Sequence, residues 1–552
     1  MQLPLAANVL ARWQRAASKH LSLKPTPCLY GFCNEPSTPT ALASSALVQV
    51  DSGATQSIEP SAPCLQARRR LYQKYAPRLV KPANFRITAA VVASALFMQN
   101  MDGTIVATAL PAMARDLGVD PVHLSSAITA YLVALTVFIP ASGWVADRFG
   151  AKRVFMWAIA TFTLASLACA AAANLPQLIA ARIVQGIGGA MMVPVGRLIL
   201  FRGVKREELL QATTWLTMPA LIGPLMGPPL GGFLTDTLSW RSIFWVNVPV
   251  GIVGLLLTWR LLPAAPPEHH APPDVRGMML IGGSLTLFMI GIECAGRGVL
   301  PPFASPACVA GGVLMFWMAV RHCRRVDDPA VDFSLLAIPT FHAATIAGSL
   351  FRAGAGALPF LVPLTLQTGF GYSASASGLV TFASALGSFC MRPMTSLALR
   401  RFSVRTVLCA GSVSFAAVLV VCSFMSQNWP AGGIFLLLLV GGLSRSLSFA
   451  TMGALAFADV PKAKLAAATS FQGTAQQLMK AVGVTVAAGT IQVTMIVAPG
   501  AHAERWQLAS AFIVTALVVI TSYPMFMRMP AEAGAGISAS RASARGRAGE
   551  IK

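Results

Sequence analysis

The chain reads as an all-α membrane protein: two six-helix bundles with two further helices inserted between them, about fourteen transmembrane helices in all. Three observations carry that reading. Apolar runs of about twenty residues, each long enough to cross a bilayer, follow one another from Arg86 to Arg528. The breaks between them alternate between strongly and weakly basic. A basic turn in the first half returns, imperfectly, in the second.

Composition narrows the function classes. Only 11% of residues are charged and 55% are hydrophobic, whereas soluble domains carry about 25% charged residues. The net charge of +22 lies in two tails and in short loops rather than on a compact basic domain. It reads as positive loops beside anionic lipid, not as a nucleic-acid interface. The 10 cysteines are scattered and the 7 histidines form no cluster, so neither a metal site nor a cofactor is expected. His269 and His270 sit in a proline-rich loop and read as solvated. No phosphate-binding loop, nucleophile motif or soluble catalytic domain is present, which disfavours both an enzyme and an ATP-driven pump.

The elements follow in order. Residues 1–85 are rich in Ser, Pro, Ala and Arg and lack sustained apolar periodicity. They read as a disordered basic tail, held in the cytoplasm by Arg68, Arg69, Arg70, Lys74, Arg78 and Lys81. An over-long start and an organellar transit peptide are the alternatives. The first bundle, 86–262, holds spans at 86–108, 122–145, 154–173, 177–201, 209–235 and 242–261. A linker segment, 263–330, holds two more at 276–294 and 303–320. The second bundle, 331–528, holds the last six at 338–367, 375–398, 404–425, 431–457, 465–496 and 506–527. Residues 529–552 form a second basic tail. With a cytoplasmic N-terminus, the inner loops carry Arg148, Lys152 and Arg153; Arg202, Lys205 and Arg206; Arg276; Arg321, Arg324 and Arg325; Arg400, Arg401 and Arg405; and Lys462 and Lys464. The outer loops carry far fewer cations, and an even count returns the tail to the cytoplasm. The repeat sets Arg148-Phe149-Gly150-Ala151-Lys152 against Arg401-Phe402-Ser403-Val404-Arg405, with Arg400 where the first copy has Asp147.

Four stretches carry chemistry or gating. Gly143, Asp147, Arg148, Gly150 and Arg153 lie in and around the turn between the second and third spans. Asp102 stands in Met101-Asp102-Gly103-Thr104, and Gln99 precedes it by three residues on the same helical face. Arg182, Gln185 and Gly189 share a face of the fourth span. Gly223, Gly227 and Gly231 make a four-residue stripe in the fifth, interleaved with Pro224, Pro228 and Pro229. Together these stretches resemble the major facilitator superfamily, and within it the fourteen-span drug:proton antiporters of the EmrB/QacA type, over nearly all of residues 86–528.

The physical readings stand beside the resemblance. An acid in a membrane is costly unless it is protonated, paired or wet. Asp102 is therefore either a proton-coupling group or a permanent partner of a cation such as Arg182. Arg182 cannot give up its proton; it tunes the acid, or ties helices together. The glycine stripe permits close helix packing, and the prolines remove backbone donors. The resemblance implies a barrier against proton leak there, against the plain reading of a packing interface. It also implies that Asp147 pairs with the N-terminal end of the eleventh span, with Arg148 and Arg153 in the same latch.

The second half holds no acid well inside its spans, but Arg352, Arg392, Arg445 and Lys480 fall in or near them. They are either interfacial anchors or cavity groups, in which case the substrate is anionic or zwitterionic rather than dicationic. Arg352 is the first candidate for the cavity and Lys480 the second, with Gln99 and Gln185 from the first half. The expectation is a proton-coupled exporter of small amphipathic compounds in the inner membrane, working by alternating access with both termini cytoplasmic. Its partners are a small-molecule substrate, protons and lipid. A periplasmic adaptor protein is the partner expected if the route extends beyond the membrane. A dedicated metabolite or siderophore exporter is the alternative, and a transporter-like receptor or sensor the alternative of another class.

Overall fold

The computed structural model describes residues 85–202, 209–262, 274–293, 303–326, 329–461, 464–497 and 505–530. The two basic tails, His269 and His270, and the loop cations Lys205, Arg206 and Lys462 lie outside these residues. The described residues fall in the compact unit Val80–Lys552.

Fourteen helical stretches follow in chain order: α1 (Phe85–Asp116), α2 (Pro121–Phe138, resumed as Ser142–Phe149), α3 (Ala151–Ala170), α4 (Leu175–Arg202), α5 (Leu209–Thr237) and α6 (Ser242–Trp245, resumed as Asn247–Leu261). After them come α7 (Val275–Glu293), α8 (Ala304–Cys323), α9 (Pro339–Leu364), α10 (Ala374–Arg401), α11 (Val404–Ser423), α12 (Ala431–Phe457), α13 (Leu465–Val497) and α14 (Arg505–Ile520, resumed as Ser522–Met527). Among the described residues, 13 helices are long and apolar enough to cross a membrane. The stretch outside that set is α5, whose 29 residues suffice for a crossing. Its glycines and prolines, the very residues of the stripe, dilute its apolar character.

The helix ends follow from local chemistry. Asp120 caps α2, its carboxylate accepting from the Val122 N–H at 2.7 Å, with Pro121 in the first turn. Gly150 turns the chain from α2 into α3 at φ 89°, a backbone conformation that L side chains avoid. The second copy of this turn is built differently. Ser403 stands in place of Gly150 at φ −68°, and its hydroxyl caps α11 by accepting from the Thr406 N–H.

The two halves repeat each other in their packing. In the first, α1 packs on α5, α3 on α4, α2 on α4, and α6 on both α3 and α1. In the second, α9 packs on α13, α11 on α12, α10 on α12, and α14 on both α11 and α9. The halves meet where α5 packs on α10 and α2 on α13. The repeated turn extends to side-chain contacts. Lys152 Nζ donates to the terminal carbonyls of α6, Trp259 O at 2.8 Å and Leu262 O at 2.6 Å. At the equivalent place Arg405 Nη1 donates to Met529 O, beyond the end of α14, at 3.4 Å. Each cation sits where a helix's unpaired carbonyls concentrate negative charge.

The inserted pair, α7 and α8, pack on each other, and α7 leans on α2 and α13. Only 17% of the α8 membrane window is buried against 78% for α9, so α8 is peripheral and α9 central. Asp274 anchors the pair: its carboxylate accepts from the Gly277 and Ala330 N–H groups and lies 2.7 Å from His322 Nε2, near the end of α8.

Candidate functional site

Five helices of the first half bring polar groups to one buried point. Asp102, fully buried on α1, accepts three hydrogen bonds. Arg182 Nη1 donates to its Oδ2 at 2.6 Å, Gln185 Nε2 to its Oδ1 at 2.9 Å, and Asn247 Nδ2 to the same Oδ1 at 3.0 Å. Arg182 Nη1 also donates to Gln185 Oε1 at 2.6 Å, and its Nε to Ala127 O at 3.4 Å. Ser166 of α3 accepts from Gln185 Nε2 at 2.8 Å and from Asn247 Nδ2 at 3.3 Å. The Tyr131 ring of α2 lies 4.3 Å from the Arg182 guanidinium carbon, where a cation is attracted by the ring face.

Glycines place the fourth helix so that this convergence closes. A Cβ on Gly186 would fall 2.7 Å from Tyr131 O, and one on Gly188 would fall 2.8 Å from Phe162 N. Only hydrogen at these positions lets the backbone of α4 touch α2 and α3 together. The stripe on α5 acts likewise against α1, the helix of Asp102. A Cβ on Gly223 would lie 2.7 Å from Phe97 O and 3.0 Å from Met101 N. One on Gly227 would meet Thr104, its Cβ at 3.0 Å; one on Gly231 would meet Ile105, with Cγ1 at 2.7 Å and O at 2.9 Å.

Beside the cluster lies a cavity of about 1660 Å³ between the halves. Gln99, Tyr131 and Arg182 line one wall; Arg445, Gln472, Gln476 and Lys480 line the other. Its lining runs on to Phe201, Arg400, Phe457 and Ala467, at the loop-side ends of α4, α10, α12 and α13. These are the ends that carry the basic loops. At the opposite end the halves are shut. Gly232 touches the Ala374 backbone, and Gly378 touches the carbonyl of Pro228. Asp236 of α5 accepts from the N–H of Ala374 at 3.3 Å and of Ser375 at 2.7 Å, capping α10 across the interface. Gln367 Nε2 donates to Thr108 O at 2.8 Å.

The sequence-derived residues therefore divide. Asp102, Arg182 and Gln185 meet in one cluster; Gln185 is fully buried there and stands apart from the cavity wall on which it was expected. Gln99 and Lys480 line the cavity. Arg352 does not: it is 4% exposed and folds back along α9, donating to Ala344 O at 3.2 Å across Gly348. Gly143 lines the cavity, Asp147 is half-buried, and Arg148 and Arg153 are exposed beside the Gly150 turn. Their segment of α2 packs on α3 and α4. Sequence reasoning missed Asn247, Ser166 and Tyr131. Asn247, a lone amide in the apolar run Trp245–Val250, carried a usable signal; the other two did not.

Comparison with known proteins agrees with this architecture. A family model described as Major Facilitator Superfamily matches residues 92–351. A protein named for multidrug resistance, MdtD of Pectobacterium atrosepticum, is 37% identical over 462 residues, 82% of this chain and 97% of the relative. One of Salmonella paratyphi B is 37% identical over 409 residues, 74% of this chain and 86% of the relative. Among solved structures, the POT family transporter PepTSo aligns with a TM-score of 0.59 at 15% identity, covering 80% of this chain and 97% of that one. A D-xylose-proton symporter aligns with a TM-score of 0.56 at 14% identity, covering 80% and 99%. With a helical pattern doubled in two halves and relatives that span nearly their whole length, the chain belongs to the major facilitator superfamily and is a multi-pass membrane transporter, not an enzyme.

Proposed function

We propose that the protein is a proton-coupled exporter of small amphipathic compounds across the cytoplasmic membrane, with its basic loops and both termini in the cytoplasm. The observation that carries this reading is the buried Asp102–Arg182 pair beside a cavity whose lining reaches the helix ends that carry the basic loops, while α5 and α10 meet at the opposite end. A cargo from the cytoplasm or inner leaflet has a way in, and the closed α5–α10 contact bars its passage to the far side until the halves rock. A buried ion pair with its remaining valences satisfied holds until one partner is neutralised, and Asp102 is the partner that can be. Protonation there releases the guanidinium of Arg182, which borders the cavity, and so links proton uptake to the cavity wall. In the complementary state the halves rock about the α2–α13 and α5–α10 contacts, and Asp147 meets the start of α11 to close the basic side. The multidrug resistance names of the relatives support a drug-like cargo. The cations along the cavity favour, as second reading, a dedicated exporter of an anionic metabolite.

Transport in proteoliposomes under an imposed proton gradient, against a broad ligand panel, tests the proposal. Gradient-dependent movement of at least one amphipathic ligand is expected. Ligand flux that is indifferent to the gradient would remove proton coupling.

A further inference from the structure

The two cavity walls differ in how their charge is balanced. On the first-half wall, Arg182 is neutralised by Asp102. On the second-half wall, Arg392, Arg445 and Lys480 make no ion pair among the described residues. Asp332, at the mouth and paired with Lys464 at 3.0 Å, is the acid among the described residues that line the cavity. Uncompensated cations in a membrane interior are costly and mark a pathway or a ligand.

Further groups on this wall are also donors. Gln472, Gln476 and Lys480 recur every fourth residue along one face of α13, and all line the cavity. Gln472 is 2% exposed; its Oε1 accepts from Thr345 at 3.2 Å, and its buried Nε2 has no hydrogen-bond partner. Arg445 is oriented by Ser388, to which its Nη2 donates at 3.1 Å. Lys480 stands at a close approach of α9 to α13. A Cβ on Gly356 would fall 2.7 Å from Lys480 Cα, so the backbones touch and the side chain has the cavity as its outlet.

We infer that the second-half wall is an anion site: Lys480 and Arg445 hold a carboxylate or similar oxyanion of an amphipathic organic ligand, the Gln472 and Gln476 amides donate to it, and the apolar part of the ligand lies against Phe449 and Phe389. This names the cargo class of the export site and rests on that reading. Two cations and two amides on one wall offer donors to both oxygens of a carboxylate, and a charge-assisted bond is roughly twice as strong as a neutral one. A cationic ligand would meet like charge with no acid to offset it.

The test reads the site without transport. A cysteine is placed at Ala385, which lines the cavity one turn before Ser388, in protein whose native cysteines are replaced, held in nanodiscs of phosphatidylcholine. Its modification by sulfonatoethyl and by trimethylammonioethyl methanethiosulfonate is compared, each rate normalised to that of a free thiol. The anionic reagent should be favoured about tenfold, as in clefts lined by one sign of charge. The preference should fall severalfold in Lys480→Gln and in Arg445→Gln. Loss of the Lys480 charge removes an uncompensated buried cation, so the variant should fold, and its thermal midpoint is measured alongside. The anion 2-naphthoate should slow modification where its amide does not, and should lose that effect in Lys480→Gln. A normalised ratio near one, a ratio unmoved by both substitutions, or equal protection by acid and amide would overturn the site. If phosphatidylglycerol in the bilayer abolishes the naphthoate effect, the site holds a lipid headgroup and the soluble-anion cargo is overturned. Intact anion selectivity in a protein that exports nothing would count against the export reading alone.

Discussion

Adding one methyl group to the α5 stripe should have an effect that depends on which atom of α1 it meets. At Gly231 a Cβ would fall 2.7 Å from Ile105 Cγ1 and 2.9 Å from Ile105 O, whereas non-bonded carbon contacts settle at about 3.5–4.0 Å. A carbonyl of a helix cannot rotate aside, so α5 must withdraw from α1 by about 0.8 Å, a gap that forfeits a quarter to a half of each local dispersion contact. Overpacking of this kind costs about 1–3 kcal/mol. At Gly227 the obstacle is the Thr104 side chain, including its hydroxyl. Gly227→Ala should therefore be relieved in part by Thr104→Ala, while Gly231→Ala should not. Gly103, also on α1, has nothing within 4 Å of its would-be Cβ; Gly103→Ala should be neutral or stabilising by up to about 1 kcal/mol through helix propensity. Gly227→Leu, with a whole side chain to house, should stop transport. Thermal midpoints of purified protein and initial rates in proteoliposomes form the assay. Equal midpoints for Gly231→Ala and Gly103→Ala, or identical rescue of both stripe variants by Thr104→Ala, would refute the argument that α1 is the wall the stripe touches.

Four other outcomes are expected. Asp102→Asn should abolish gradient-driven export while membrane insertion persists. Asn247→Ala, which removes a donor to a charged acceptor, should cost about 1.5–3 kcal/mol, read as a lower thermal midpoint; full coupled transport by Asp102→Asn would take Asp102 out of the mechanism. Cysteines at Ser239 and Ser403 should label from opposite faces of the membrane, and labelling of both from one face would overturn the topology. Asp236→Asn weakens a charge-assisted cap across the halves worth about 1 kcal/mol, roughly a fivefold shift in population. A cysteine at Thr108 should then react faster with an impermeant reagent supplied from the face away from the basic loops, and an unchanged rate would show that Asp236 does not hold that end shut.

The legibility of this protein from sequence follows its energetics. Asp102, Arg182 and Gln185 stand out because a charge or amide is conspicuous in an apolar run, and the helix order is recoverable because loop charge counts crossings. The aim of individual side chains is another matter. On α9 the membrane window is 78% buried, so apolar residues surround it and periodicity cannot say which face looks into the cavity. The Gly-rich stretch that Arg352 opens reads as able to bend, which ranks Arg352 ahead of Lys480 in the sequence but does not fix the face it takes. Ser166 and Tyr131 were silent for a related reason: serine and tyrosine are common in membrane helices, and their place in the cluster depends on which helices touch. The partner of the glycine stripe was equally hidden, since spacing announces a close neighbour without naming it.

On the proposed reading, placing Asp102 in one half and the cavity cations in the other constrains how energy is exchanged. In an exchanger of cations, cargo and proton can compete for one carboxylate, and that rivalry is itself the coupling. Here an anion beside Lys480 and a proton on Asp102 would favour each other through the field they share, because neutralising Asp102 leaves Arg182 positive at the cavity's edge. Mutual attraction of that sort, left to local binding, yields co-movement. Exchange in opposite directions then has to come from kinetics, with one loaded form barred from reorienting. It also makes the membrane voltage a direct driving force: an anion leaving a negative interior gains about 2.3 kcal/mol per charge for each 100 mV, so the stoichiometry of protons per cargo is a property this charge layout leaves free to be small.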